Sequence, residues 1–177
     1  MAVKMYLAFA KQNAEANGKI VAILDKLSNE EREKERGSFY GSLSGLVRHV
    51  LGGTCFFSTL FAKALAGNAA AQEALAALAA VPYAPEGTLS EAQWKELAAG
   101  IDAADKGYIA LMEALRDSDL DAPLALDWYG GKPAAVPLAF MLQQHVAHNI
   151  HHRGQISQIL DELKIDNDFS GINVAFL

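Results

Sequence analysis

Four of the five histidines of the chain lie between positions 145 and 152. His148 and His152 are one helical turn apart, so their imidazoles would project from the same face and could bind one ion. His145 lies on the same side, one turn before His148. His49, the remaining histidine, belongs to a second predicted helix. Imidazoles from two helices would leave coordination positions open for water or substrate, which is typical of catalytic metal sites.

The histidine spacing also has more ordinary explanations. A histidine pair one turn apart is common by chance, and a lone histidine on a half-apolar face, such as His49, is more often a hydrogen-bonded core residue. The sequence contains no His-Glu-x-x-His, Glu-x-x-His or Cys-x-x-Cys motif, and no Gly-x-Ser-x-Gly elbow. Spacing alone therefore leaves a metal site and a structural role both open.

Composition narrows the class of protein. A length of 177 residues predicts a single domain over residues 1–177, and 51% hydrophobic residues exclude a disordered chain. A net charge of −6 without a basic run argues against nucleic-acid binding. The only cysteine, Cys55, excludes an internal disulfide framework and fits a reducing compartment. The longest uncharged apolar stretch, residues 50–62, is too short to span a membrane, so we expect a cytoplasmic protein.

Hydrophobic periodicity predicts an all-α four-helix bundle. The four long helices are expected to begin near Val3, Ser42, Ser90 and Pro137. Ser90 and Gln93 form a capping-box pattern, and the alanine-rich connection, residues 66–80, should carry an extra short helix. The charged stretch 28–36 is expected to close the first helix, Gly37 and Gly41 to mark a loop, and residues 127–131 to form a short hairpin. The tail from residue 166 onward should pack on the bundle.

Several segments resemble those of the DinB/YfiT-like family of metalloenzymes. The run from His148 to Ile156, with the sequence His-Asn-Ile-His-His-Arg-Gly-Gln-Ile, is similar to the signature of that family. The weaker matches follow in the family's order: residues 13–17, residues 42–49, the turn at 128–131 and residues 142–146. The resemblance covers most of the chain, with the alanine-rich connection as its own insertion.

Membership of this family would imply an antiparallel-type bundle in which three histidines hold a divalent metal ion. Carried over position by position, those ligands are His49, His148 and His152. Imidazole ligands suit zinc or nickel, with iron or copper as alternatives. Known activities in the family include transferases and isomerases that use low-molecular-weight thiols, and many members are uncharacterised.

The neighbours of these histidines have weaker expectations attached to them. His145 is either a partner that orients a ligand or an ordinary polar core residue. Gln155 is expected to border the site. Gly53 should leave room in the cleft for a substrate, so that Gly53→Leu would block a reaction while keeping most of the metal.

Other polar residues are expected to lie apart from the chemistry. We expect His151 to be exposed or bonded elsewhere, and Arg153 to form a structural ion pair, with an anion anchor as the alternative. Asn13 and Asn17 would point inward or flank the seam of the first helix, although each taken singly is more typical of the surface. Cys55 should face away from the ligands as a buried, inert thiol.

Together these features predict an enzyme that transfers a low-molecular-weight thiol to an electrophilic small molecule. No catalytic side chain is assigned. The alternatives are a metal-dependent hydrolase and a non-catalytic module that binds metal or a small ligand as a sensor. The family resemblance and the apolar residues Phe56, Phe57, Phe61 and 174–177 predict a homodimer.

Overall fold

The computed structural model describes residues 2–126 and 134–176. The helices in these ranges are α1 (Ala2–Leu24), α2 (Asn29–Glu33), α3 (Leu43–Ala64), α4 (Ala69–Ala79), α5 (Glu91–Ala114) and α6 (Leu138–Glu162). Two short strands, β1 (Pro123–Leu126) and β2 (Ala134–Pro137), pair in antiparallel register, and short 3-10 turns cover Asp117–Asp121 and Val174–Phe176. The prediction of an all-α fold is confirmed.

The long helices form the bundle around one hydrophobic core. α1 packs mainly against α5, and α3 packs against α6, which places the two histidine-bearing helices side by side. α4 covers α3 and α5 from the outside. Trp94 and Leu111 of α5 are fully buried within this core. The packing of α3 against α6 brings together residues that are far apart in the sequence.

Side-chain caps set the starts of α3 and α5 where the sequence predicts them. The Ser42 hydroxyl accepts a hydrogen bond from the backbone N–H of Gly45. Ser90 and Gln93 form the full capping box, since each side chain bonds the backbone of the other residue. Pro137 precedes the first residue of α6. These caps fix where each helix begins and so which face its side chains occupy.

α1 ends at Leu24, before the charged stretch 28–36, and this stretch contains a short helix, α2, that the sequence did not indicate. Ser28 caps it by accepting from the N–H of Glu31, and acidic residues in its first turn favour the helix dipole. Arg32 is buried, donates to the carbonyls of Leu24 and Leu27, and pairs with Glu91. A buried arginine thus anchors a helix too short to be seen as a hydrophobic period.

The C-terminal tail packs on the bundle, as expected, through Phe169. Its side chain is buried, and its carbonyl accepts from the side chain of Gln12 at 3.5 Å. The predicted hairpin at residues 127–131 lies outside the described residues, although β1 and β2 flank it. Within the described ranges, no helix is both long and apolar enough to cross a membrane.

Candidate metal centre

Three histidines converge where α3 meets α6. The ring centroid of His49 lies 4.8 Å from that of His148 and 4.4 Å from that of His152. The Nε2 atoms of His49 and His148 are 2.9 Å apart. One nitrogen from each of the three rings lies within 4.8 Å of the other two, so this trio could hold a metal ion.

A hydrogen bond orients one of the three rings. Nδ1 of His152 lies 2.6 Å from Oε1 of Gln155, an acceptor, so Nδ1 carries the proton. Nε2 of His152 is then the unprotonated nitrogen, free to bind a cation. Gln155 therefore lies beside the site, where the sequence placed it. Nδ1 of His148 is buried without a hydrogen-bond partner in the described part of the chain.

The environment keeps these imidazoles neutral. Burial, reinforced by the neighbouring imidazole of His152, lowers the pKa of His49 to about 4. The same two causes lower the pKa of His148 to about 4. Burial also lowers the pKa of His152. At neutral pH the three rings are therefore in the unprotonated form that binds a metal.

Tyr40 is a site residue that the sequence did not indicate. Its ring stacks on His49 with centroids 3.8 Å apart and meets the edge of His152 at 5.4 Å. Gly41, with φ of +74°, turns the chain so that Tyr40 can reach the ligands. At Gly45 a Cβ would overlap the carbonyl oxygen of Tyr40. The two glycines were visible in the sequence, but nothing in their spacing points to aromatic stacking.

Gly53 lines the cavity, as expected, but the space left by its missing side chain is occupied by His148. A Cβ at this position would overlap Cε1 of His148 and lie 3.0 Å from its Nδ1. The space beside Gly53 is therefore filled by a candidate ligand. A larger residue there would displace His148, so Gly53→Leu would not keep the metal.

His145 lies in the core and bonds elsewhere. Its Nε2 is 3.1 Å from Oγ1 of Thr54 and 3.1 Å from Nδ2 of Asn149. Tyr108 packs on the ring with centroids 4.3 Å apart, and burial lowers the pKa of His145 to about 3. Of the two roles the sequence left open, these contacts match the polar core residue.

A buried polar network lies behind α6. Asn13 and Asn17 are buried, and their amides donate to Asp105 at 3.1 and 3.0 Å. Among the described residues, Arg153 donates to the side-chain oxygen of Asn13, and its charge interacts with that of Asp105. Amide and carboxylate groups can satisfy one another only once α1, α5 and α6 have packed. The network therefore ties α1 to the helix that carries His148 and His152.

Asp105 should make stability depend on pH. Burial raises its pKa to about 7 from the usual 3.8. The folded protein thus binds this proton more tightly than the unfolded chain does. The contribution of protonated Asp105 to the free energy of unfolding is therefore complete below about pH 4 and is lost as the pH rises through about 7. Asp105→Asn cannot titrate, so the variant should gain on the parent by on the order of 2–4 kcal/mol between about pH 4 and 8. Urea unfolding of both proteins across this range measures the difference, and a pH-independent difference would contradict the assignment.

A cavity of about 1070 Å³ opens onto the three histidines. Cys55 is half-buried and lies on the wall of the same cavity. Six residues along α3 turn its side chain by roughly 120° from His49, and the cavity is wide enough to include both directions. Burial raises the pKa of the Cys55 thiol, which keeps it protonated. His151 is exposed, as predicted, at the edge of the cavity.

Comparison with known proteins adds one finding to this geometry. The family model described as the DinB family matches residues 1–163. The matched region contains all three converging histidines and every helix from α1 to α6. No curated protein matches the chain.

Proposed function

Because this chain belongs to the DinB family, we propose that His49, His148 and His152 hold one divalent metal ion in an enzyme that transfers a low-molecular-weight thiol to an electrophile. The observation that carries the proposal is the convergence of three neutral imidazoles at the wall of a large cavity. Zinc or nickel is the proposed ion, with iron and copper as alternatives, since all four accept imidazole ligands.

The donor set fits a metal ion. Three imidazole nitrogens within 4.8 Å of one another, in residues whose pKa values are lowered by burial, suit a cation better than a hydrogen-bonded cluster. Gln155 fixes the tautomer of His152. Histidines that bind a metal commonly donate their other ring N–H to such an acceptor. Tyr40 holds the ring of His49 in place by stacking.

The chain's own residues would position the metal ion and the reacting thiol. A divalent ion held by three neutral imidazoles would keep its positive charge, which stabilises a thiolate near neutral pH. Apolar residues of α3, among them Phe57, line the cavity beside the histidines. A new bond forms between sulfur and the electrophilic carbon while the leaving group departs with its electron pair, and the thiol proton passes to water. Cys55 stays protonated in this wall, so the reacting thiol is exogenous.

Thiol transfer should depend on both metal and added thiol. With 2-mercaptoethanol and 1-chloro-2,4-dinitrobenzene, the metal-loaded protein should release chloride and form the thioether faster than the buffer does. Removing the metal with a chelator should abolish this acceleration, while Cys55→Ser should retain it. Absorbance of the product measures the rate. Hydrolysis without thiol would favour a hydrolase, and metal binding without turnover across thiols and electrophiles would favour a sensor.

We also propose that the protein is a homodimer, although the apolar residues first cited for it need correction. Phe57 and Phe61 are buried in the core, so they are not surplus surface. Phe56 at 48% exposure and Val174 at 82% remain as apolar surface. Light scattering at micromolar concentration should give about twice the 19.0 kDa mass of one chain, and a mass of one chain would contradict it.

A further inference from the structure

The lining of the cavity in front of the histidines is distinguished by its lack of charged side chains. Among the described residues, no Asp, Glu, Lys or Arg side chain lines it. The protein as a whole carries a net charge of −6, which adds nothing to attract an anion. A ligand with several charges would leave most of them unpaired against this wall, at a high desolvation cost.

Aromatic side chains form part of the cavity lining. Phe39, Phe56 and Phe57 line it together with Tyr83. The ring of Tyr83 lies against α3 at Gly52, where a Cβ would come within 2.6 Å of its hydroxyl oxygen. The glycine thus lets an aromatic ring close this end of the cavity.

The alanine-rich connection contributes further apolar lining. Leu78 and Ala79 of α4, followed by Val81, line the cavity with apolar groups. α4 is held against α3 and α5, with Leu78 fully buried and in contact range of Gly107. The segment that stood apart from the family pattern therefore supplies part of the surface that a ligand would touch.

We infer that this cavity selects an apolar molecule of aromatic-ring size that carries no charge other than one anionic group placed at the histidines. The inference rests on the proposed function in taking the cavity as the substrate site. Its volume of about 1070 Å³ is ample for a molecule of that size, since pockets for drug-sized ligands hold roughly 300–1000 Å³. Apolar surface supplies the affinity, and the three-histidine site fixes the orientation.

Three thiols with the same HS–CH2–CH2 group test the selectivity. They are 2-phenylethanethiol, 2-mercaptoethanol and 2-mercaptoethanesulfonate, titrated into the cobalt-substituted protein and followed by the sulfur-to-cobalt absorption band. The phenyl compound should bind about tenfold more tightly than 2-mercaptoethanol or better, and the sulfonate no more tightly than 2-mercaptoethanol. Equal affinities, or tightest binding of the sulfonate, would overturn the inference while leaving the metal site intact.

Calorimetry on the chelator-treated protein separates the two proposals. In the cobalt-substituted protein, an absence of the sulfur-to-cobalt band with all three thiols would count against the proposed function. The phenyl compound should still bind more tightly than 2-mercaptoethanol to the metal-free cavity if the inference is right. Equal heats and affinities there would overturn it whatever the metal does.

Two variants locate the effect on the cavity wall. Phe56→Ala should reduce the preference for the phenyl compound several-fold. Phe140→Ala is the matched control, since Phe140 is 46% exposed and Phe56 is 48% exposed, but Phe140 does not line the cavity. Ala79→Lys adds a cation at an exposed position of the wall and should raise the affinity for the sulfonate several-fold. Equal responses of the two phenylalanine variants, or an unchanged sulfonate affinity, would place ligand binding elsewhere.

Discussion

Replacing His49, His148 or His152 with alanine is expected to lower metal affinity by more than about a hundredfold, because each change removes one of three nitrogen ligands. The effect should be similar for all three residues, since their donor nitrogens lie within 4.8 Å of one another. Elemental analysis of proteins purified in the presence of zinc or nickel would measure the bound metal. Circular dichroism would show that the helices remain.

His151→Ala provides the control for this series. His151 is exposed and next to His152 in sequence, so it tests whether any nearby imidazole affects the metal. We expect this variant to retain its metal. Full metal content in His49→Ala would mean that α6 alone holds the ion and would overturn a site built from two helices.

Gly53→Ala should release the metal almost as completely as loss of a ligand, although it adds only one methyl group. That methyl would overlap Cε1 of His148, and the position faces the ring itself, not the tip of a flexible chain. The imidazole of His148 would have to move away from the methyl group. A metal–nitrogen bond does not tolerate a displacement of that size. We expect at least about a tenfold loss of metal affinity, measured by competition with a chromophoric chelator.

Gly52→Ala is the matched control, because it makes the same change one residue away on the same helix. Its methyl would meet the ring of Tyr83, which is 55% exposed and free to move outward. This variant should keep its metal affinity and alter only the cavity wall. Equal losses in the two variants would point to a general disturbance of α3 and contradict the steric explanation.

The helices could be predicted because their signals are local. Ser42 and Ser90 cap their helices through bonds to residues three positions away, so the pattern is visible in a short window. α2 was not predicted because it lacks a local hydrophobic signal. Its five residues are too few for a hydrophobic period, and its stability comes from Arg32, whose partners lie on other elements.

The candidate ligands could be predicted from one-turn spacing and from the family resemblance, but their surroundings could not. Asn13 and Asn17 look like surface residues, because nothing local reveals that Asp105 faces them from α5. Cys55 was assigned by its angle from His49, yet the width of a cavity depends on the neighbouring helix and connection. Gly53 shows the same limit, since only packing places a ring against it.

The positions of His49 and His148 have a consequence for the topology of the unfolding chain. They are 99 positions apart, and an ion bound to both would close a loop that contains α4 and α5. Such a link restricts the chain as a disulfide would, although it can be released by acid or a chelator. α1 lies outside this loop and is attached through Asn13 and Asn17 instead. α3 and α6 are therefore fastened to each other by a reversible cross-link, whereas α1 is fastened by buried hydrogen bonds.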